Sequence, residues 1–308
     1  MSTLLKVENL SHRYSSAWAI RDINIDISEN GVVGLLGSNG AGKSTTMNII
    51  CGVLNQTEGE VIINGISKSK DPRGVKKQLG FLPQTPPLYG DFTVKEYLTY
   101  AAALRFIGRA DINKAVNEAM ERCSITHFSS RLIRNLSGGY KQRVGIAQAI
   151  IHKPAMVVLD EPTNGLDPNQ VIEARNLIRD IAQDHLVLLS SHVLSEVNLL
   201  CREIIMIEGG RIVFADSMEA FNNYTQPQTI LVKMEFLPAA TELMKIPSIT
   251  RVEPLTPDSC RMYFSGSSKI TQQIVAASIE NNWGLLEISL EKSLPDDVFK
   301  KLSHHAQL

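Results

Sequence analysis

One nine-residue run, Gly37-Ser38-Asn39-Gly40-Ala41-Gly42-Lys43-Ser44-Thr45, constrains this chain more than any other feature. It follows the apolar stretch Gly31-Val32-Val33-Gly34-Leu35-Leu36 and fits G-x-x-x-x-G-K-[ST], a pattern that needs a strand before it and a helix after it. Its glycines let successive backbone N–H groups converge on an anion, and a helix N-terminus adds partial positive charge. In such a nest Lys43 reaches the β- and γ-phosphates of a polyphosphate, and the Ser44 hydroxyl ligates Mg²⁺. At an average glycine usage of about 7%, a chance match arises in roughly one chain of this length in a hundred. The loop therefore commits the chain to an α/β architecture that holds phosphate.

The surrounding pattern agrees. Up to about Phe221, short apolar runs such as Ala155-Met156-Val157-Val158-Leu159-Asp160 and His185-Leu186-Val187-Leu188-Leu189-Ser190 alternate with helical stretches. Their unbroken apolar character predicts mostly parallel strands buried on both faces. The first of these runs closes on Asp160-Glu161: Asp160 is placed to hold the hydration shell of Mg²⁺, and Glu161 is the adjacent candidate general base for water. Between Thr93 and about His127 the pattern turns helical. Thr93-Val94-Lys95-Glu96 is a capping box, and no breaker intervenes before Gly108.

A further anion site is predicted where Leu136-Ser137-Gly138-Gly139-Tyr140-Lys141-Gln142-Arg143 precedes an apolar helix ending near Ile151. Ser137 offers a hydroxyl, and Gly138 and Gly139 offer unobstructed N–H groups. One molecule has little use for two such sites. The economical expectation is that this one meets the γ-phosphate held by a second copy, making ATP the glue of a homodimer.

Taken together, these motifs resemble the ATP-binding cassette of ABC transporters over nearly all of residues 4 to about 220. The resemblance implies that Tyr14 stacks on adenine, that Gly37 to Thr45 is the Walker A loop and that Met156 to Asp160 is Walker B, with Glu161 as catalytic base. It implies that Gln84, in Leu82-Pro83-Gln84-Thr85, touches Mg²⁺ and the attacking water. Ser137, Gly138 and Gly139 become the signature that closes on the opposite subunit's ATP, Gly165-Leu166-Asp167 the D-loop, and His192 the switch histidine on the γ-phosphate. Two departures are mild: Tyr140 replaces the commonest Gln, and the D-loop begins Asn164-Gly165. Asp167-Pro168 also has the makings of a helix start.

After Asn222-Asn223-Tyr224-Thr225-Gln226-Pro227 the pattern changes again. Strands are expected at 229–236, 250–255, 261–264 and 284–290, with helices at 238–245 and 270–281, which gives a βαββαβ order of the ferredoxin-like type. The chain thus divides into a cassette at 1–222, with a helical subdomain at about 90–150, and a small α+β accessory domain at 228–308. An appendage ending in Leu294-Pro295-Asp296-Asp297-Val298-Phe299 is similar to that of ABC-2 type exporter subunits, the drug, polysaccharide and gliding-associated group.

At 308 residues the chain has room for about two domains, and 44% hydrophobic with 20% charged residues excludes disordered and coiled-coil classes. Its net charge of −1 removes the bulk positive field of a dedicated nucleic-acid binder, so no nucleic acid is expected. No apolar run is long enough to span a bilayer, and the start lacks the features of a secretory signal. A place on the cytoplasmic face of the membrane, beside an integral-membrane permease, follows from the resemblance. The four cysteines are too far apart for a zinc or redox motif and are expected to be idle thiols. Three other functions fit the motifs less well. A soluble ABC-type ATPase for DNA repair, chromosomes or translation would carry long coiled coils or two cassettes. A small-metabolite kinase leaves the signature without purpose, and a nonhydrolytic binding module has no use for Glu161 and His192.

Overall fold

The computed structural model describes residues 3–224, 229–265 and 269–291. The chain divides into two compact units, Met1–Met218 and Glu219–Leu308. The first begins with β1 (Leu5–Tyr14), β2 (Ala17–Ile27), β3 (Gly31–Gly37) and α1 (Lys43–Ile50). It continues with β4 (Glu58–Ile63), β5 (Ile66–Ser67), α2 (Pro72–Lys77) and β6 (Leu79–Leu82). The helices α3 (Val94–Leu104), α4 (Arg109–Arg122) and α5 (Gly138–Ile150) follow, then β7 (Met156–Asp160), α6 (Pro168–Ile181) and β8 (Leu186–Ser191). Finally come α7 (Leu194–Leu200), β9 (Glu203–Glu208) and β10 (Arg211–Ser217), after which α8 (Met218–Tyr224) starts at the boundary and has all but its first residue in the second unit.

A six-stranded sheet in the order β10-β9-β3-β8-β7-β6 forms the centre of this unit. Its strands pair in parallel except at the β10 edge. Every residue of β7 and β8 is buried, the consequence of continuous Val, Leu and Met runs that have no polar face to expose. Parallel topology puts the C-terminal ends of β3, β7 and β8 side by side, which is where open α/β sheets place their ligands.

The expectation of mostly parallel strands misses a second sheet. β1, β2, β4 and β5 form an antiparallel layer in the order β2-β1-β4-β5, whose inner residues share a core with the parallel sheet. The β1–β2 pairing shifts register three times, and Asn9 and Asp22 within these strands adopt left-handed backbone angles. Such bulges destroy the strict alternation by which a half-buried strand is recognised.

In the helical region Thr93 caps α3 with a reciprocal capping box: Thr93 N–H donates to Glu96 at 2.8 Å and Glu96 N–H to Thr93 at 3.2 Å. The helix stops before Gly108, and α4 starts directly after it. Asp167 caps α6 by accepting Gln170 N–H at 2.9 Å, with Pro168 at the first helical position. All four cysteines are free and buried.

After α8 the second unit contains β11 (Thr229–Met234), α9 (Ala240–Leu243), β12 (Ile249–Thr256), β13 (Ser259–Phe264), α10 (Ile270–Glu280) and β14 (Leu285–Glu291). Its sheet is antiparallel in the order β12-β13-β11-β14, so the βαββαβ chain adopts the ferredoxin-like arrangement. Ile230, Val232 and Met234 alternate inward to meet Cys260, Met262, Phe264 and the helix residues Ile270 and Ile274. The Leu294–Phe299 motif lies outside the described residues.

Candidate active site

The nucleotide loop runs from the end of β3 into α1. Gly42 has φ of 110°, a left-handed angle that favours glycine, and a Cβ there would come within 2.5 Å of Ile20. The loop is thus held hard against β2. Gly210 N–H donates to Ala41 O at 3.0 Å, while Arg21 N–H donates to Gly210 O at 2.8 Å, so the β9–β10 turn locks the loop to both sheets. Lys43 lies almost buried across the loop and donates to Gly37 O at 2.8 Å and Ser38 O at 3.1 Å. Burial pushes its pKa below the usual lysine value, opposed by the carboxylates of Glu161, Asp160 and Glu208. An ammonium desolvated in this way gains from an incoming anion.

Across the loop stands the end of β7. Buried Asp160 accepts Ser190 Oγ–H at 2.5 Å, and the same hydroxyl oxygen accepts Glu161 N–H at 2.9 Å. Ser190, from β8, thereby fixes two carboxylate residues at once. Glu161 takes a left-handed angle, φ 51°, which costs about 1–3 kcal/mol in a non-glycine residue and persists only where neighbours enforce it. Its carboxylate meets His192 Nδ1 at 2.7 Å; the glutamate side chain is 13% exposed and the imidazole 53%. Thr163 donates to Glu196 at 2.6 Å, tying the turn after Glu161 to α7 just beyond His192. A carboxylate braced against an imidazole at the rim of a phosphate nest can orient and deprotonate water.

A cavity of about 190 Å³ is lined by Ser38, Asn39, Gly40, Gly42, Lys43, Ser44, Thr45, Gln84 and Glu161, with Ala19 contributed by β2. The structure therefore brings the loop, Gln84 and Glu161 around one space. Ser44 offers a hydroxyl, Gln84 an amide oxygen and Asp160 a carboxylate, the oxygen donor set that suits Mg²⁺ beside substrate phosphates. Among the described residues no three His, Cys, Asp or Glu side chains converge to hold a metal without that substrate. Tyr14 is half exposed at the tip of the β1–β2 hairpin.

Ser137, Gly138 and Gly139 are not part of this cavity's lining. They begin α5, with Ser137 at the N-cap position, yet its side chain makes no capping hydrogen bond. A Cβ on Gly138 would meet nothing within 4 Å, whereas one on Gly139 would strike Gln170 of α6. Tyr140 packs edge-on against Phe128, with ring centroids 4.5 Å apart. Gly165 has φ of 74° in the turn before α6.

Two contributors escape sequence reasoning. Ser190 looks like ordinary strand until its hydroxyl is seen between Asp160 and Glu161. Glu208, at the end of β9, accepts Ser38 Oγ–H at 3.0 Å, a contact across 170 positions that no local pattern signals.

Comparison with known proteins places this geometry. The ABC transporter family model matches residues 20–164. The bacitracin transport ATP-binding protein BcrA of Bacillus licheniformis is 34% identical over 215 residues, 69% of each chain. Among solved structures, cbiO1 of Clostridium perfringens, part of the ABC transporter complex cbiONQ, superposes with a TM-score of 0.67 at 28% identity over 73% of this chain and 92% of its own. A bacterial ABC transporter cassette solved as a dimer gives 0.63 at 25% identity, over 70% and 98%. A P-loop, paired carboxylates and a Ser-Gly-Gly helix start on this double-layered sheet define an ABC-type ATPase. The chain belongs to the family of ABC transporter ATP-binding proteins.

Proposed function

We propose that the chain is the ATP-hydrolysing subunit of an exporter, that two identical copies close around two Mg·ATP, and that they drive a separate membrane permease from its cytoplasmic face. The observation that carries this reading is the split between the two anion-facing elements. Lys43, Ser44, Gln84, Glu161 and the loop glycines line one cavity, with Asp160 joined to Glu161 through Ser190, while the Ser137 hydroxyl and open Gly138 stand at a different helix. In the pair, each reaction centre combines one chain's loop with the other chain's Ser137, Gly138 and Gly139. Glu161 takes the proton of the attacking water, and His192 orients that carboxylate and holds the γ-phosphate. Lys43 and the loop and signature N–H groups stabilise charge on the transferring phosphoryl group. Ser44, Gln84 and Asp160 would hold Mg²⁺, which neutralises phosphate charge when bound. Tyr14 stacks on the adenine.

A cassette at 1–222 and an accessory domain at 228–308 are the working units of this account. Among the described residues no helix is long and apolar enough to cross a membrane. In this reading the permease is a separate chain. Its docking surface is the helical region beyond Gln84, where Tyr89, Phe92 and Tyr100 form an exposed aromatic cluster and Leu104 and Phe106 are exposed as well. Tyr89 meets both Phe92 and Tyr100 at about 6 Å between centroids. Apolar surface of this kind marks a binding face. Sedimentation of Glu161→Gln with saturating Mg·ATP tests the pairing: a dimer is expected, and a strict monomer at high concentration, with or without permease, overturns it.

A further inference from the structure

Tyr14 ends β1, and the residue opposite it on β2 is Ala17. The methyl group of Ala17 is a poor brace for a phenol ring. Two residues back on the same strand, beside a shift in the β1–β2 register, stands His12, and the two rings meet edge-to-face, with centroids 4.7 Å apart and planes at 84°.

His12 is only 9% exposed, and hydrogen bonding does not account for its placement. Its Nε2 is buried with no partner among the described residues, and Nδ1 reaches Thr57 Oγ1 only at 3.4 Å. That threonine instead pins the strand: its Oγ1 accepts Arg13 N–H at 3.2 Å, and its own N–H donates to Ser11 O at 2.9 Å. The backbone on both sides of His12 is fixed, and the ring it carries is set against Tyr14.

We propose that His12 is a positioning residue for the nucleotide base: its ring braces Tyr14 in the orientation that receives adenine. The proposal rests on reading Tyr14 as the adenine platform. A platform already held loses less freedom when the base arrives, and that difference appears as affinity. One edge-to-face pair is worth about a two- to tenfold change in binding.

The test compares Mg·ATP with Mg·tripolyphosphate, which has the phosphates and lacks the base, on full-length chain. His12→Ala is expected to weaken ATP binding about two- to tenfold and to leave tripolyphosphate binding as it was. His12→Phe, which keeps a ring at the same place, is expected to bind ATP like the parent. Equal losses on both ligands would show a general disturbance of the phosphate loop and overturn the proposal. Failure of the Phe variant to restore binding would also overturn it, because the ring contact would then not be what matters. Tyr14→Ala separates the layers. If it weakens ATP while His12→Ala does not, only the bracing fails; if neither variant weakens ATP, the adenine platform itself is wrong.

Discussion

Around Lys43, Asp160 and Glu161 the polar groups are tied to neighbours within the chain, whereas Ser137 and Gly138, at the start of α5, offer theirs outward. Lys43 is buried and doubly bonded, and Asp160, Ser190, Glu161 and His192 form one continuous hydrogen-bonded run. Thr93 and Asp167 show what a capped helix looks like in this same chain, and Ser137 lacks that bond. Preorganised groups suit the half of a reaction centre that carries the chemistry. Groups left open suit the half that closes upon another molecule. The contrast is what makes a shared centre between two copies the economical reading.

The largest effect is expected at the preorganised half. Glu161→Gln should cut turnover by about 10²–10⁴ while keeping nucleotide binding, because a general base is lost and the nest is not. Phosphate release measured alongside ATP binding checks this, and near-normal turnover would remove the base assignment. Next, Lys43→Ala should abolish ATP-dependent thermal stabilisation, which for an intact site is worth about 2.7 kcal/mol at a hundredfold excess over Kd. Unchanged stabilisation would mean that the loop is not the phosphate nest.

Ser190→Ala probes the coupling between the two carboxylate residues. It leaves the buried Asp160 carboxylate and the Glu161 N–H short of a partner, so equilibrium denaturation should show a loss of about 1–3 kcal/mol together with slower hydrolysis. The smallest change sharpens the comparison most. Thr93→Ala and Asp167→Ala should each lose about 1 kcal/mol, the usual worth of an N-cap. Ser137→Ala should leave stability within about 0.5 kcal/mol, since its hydroxyl caps nothing. Equal losses at all three positions would make Ser137 a plain helix cap.

Much of this was legible in the sequence because the relevant signals are local. The Lys43 loop, the all-apolar runs of β7 and β8, the Thr93 capping box and the βαββαβ alternation of the second unit each lie within a few residues. What escaped is either non-local or irregular. Register shifts around Asn9 and Asp22 break the period of two and hide the antiparallel layer. The left-handed Glu161, the Ser190 bridge and the Ser38–Glu208 contact depend on packing between distant segments or on a turn that no residue type announces.

The central claim is that neither copy owns a whole reaction centre, and mixing two inactive variants tests it most directly. Lys43→Ala spoils the loop and leaves the signature intact; Gly138→Asp does the reverse, at a position where an added side chain finds open space. Each variant alone should hydrolyse almost no ATP. Their mixture should regain activity, because a mixed pair joins a sound loop from one chain to a sound Ser137-Gly138-Gly139 from the other. A mixture as inactive as its components, in chains shown to exchange partners, would contradict the shared centre.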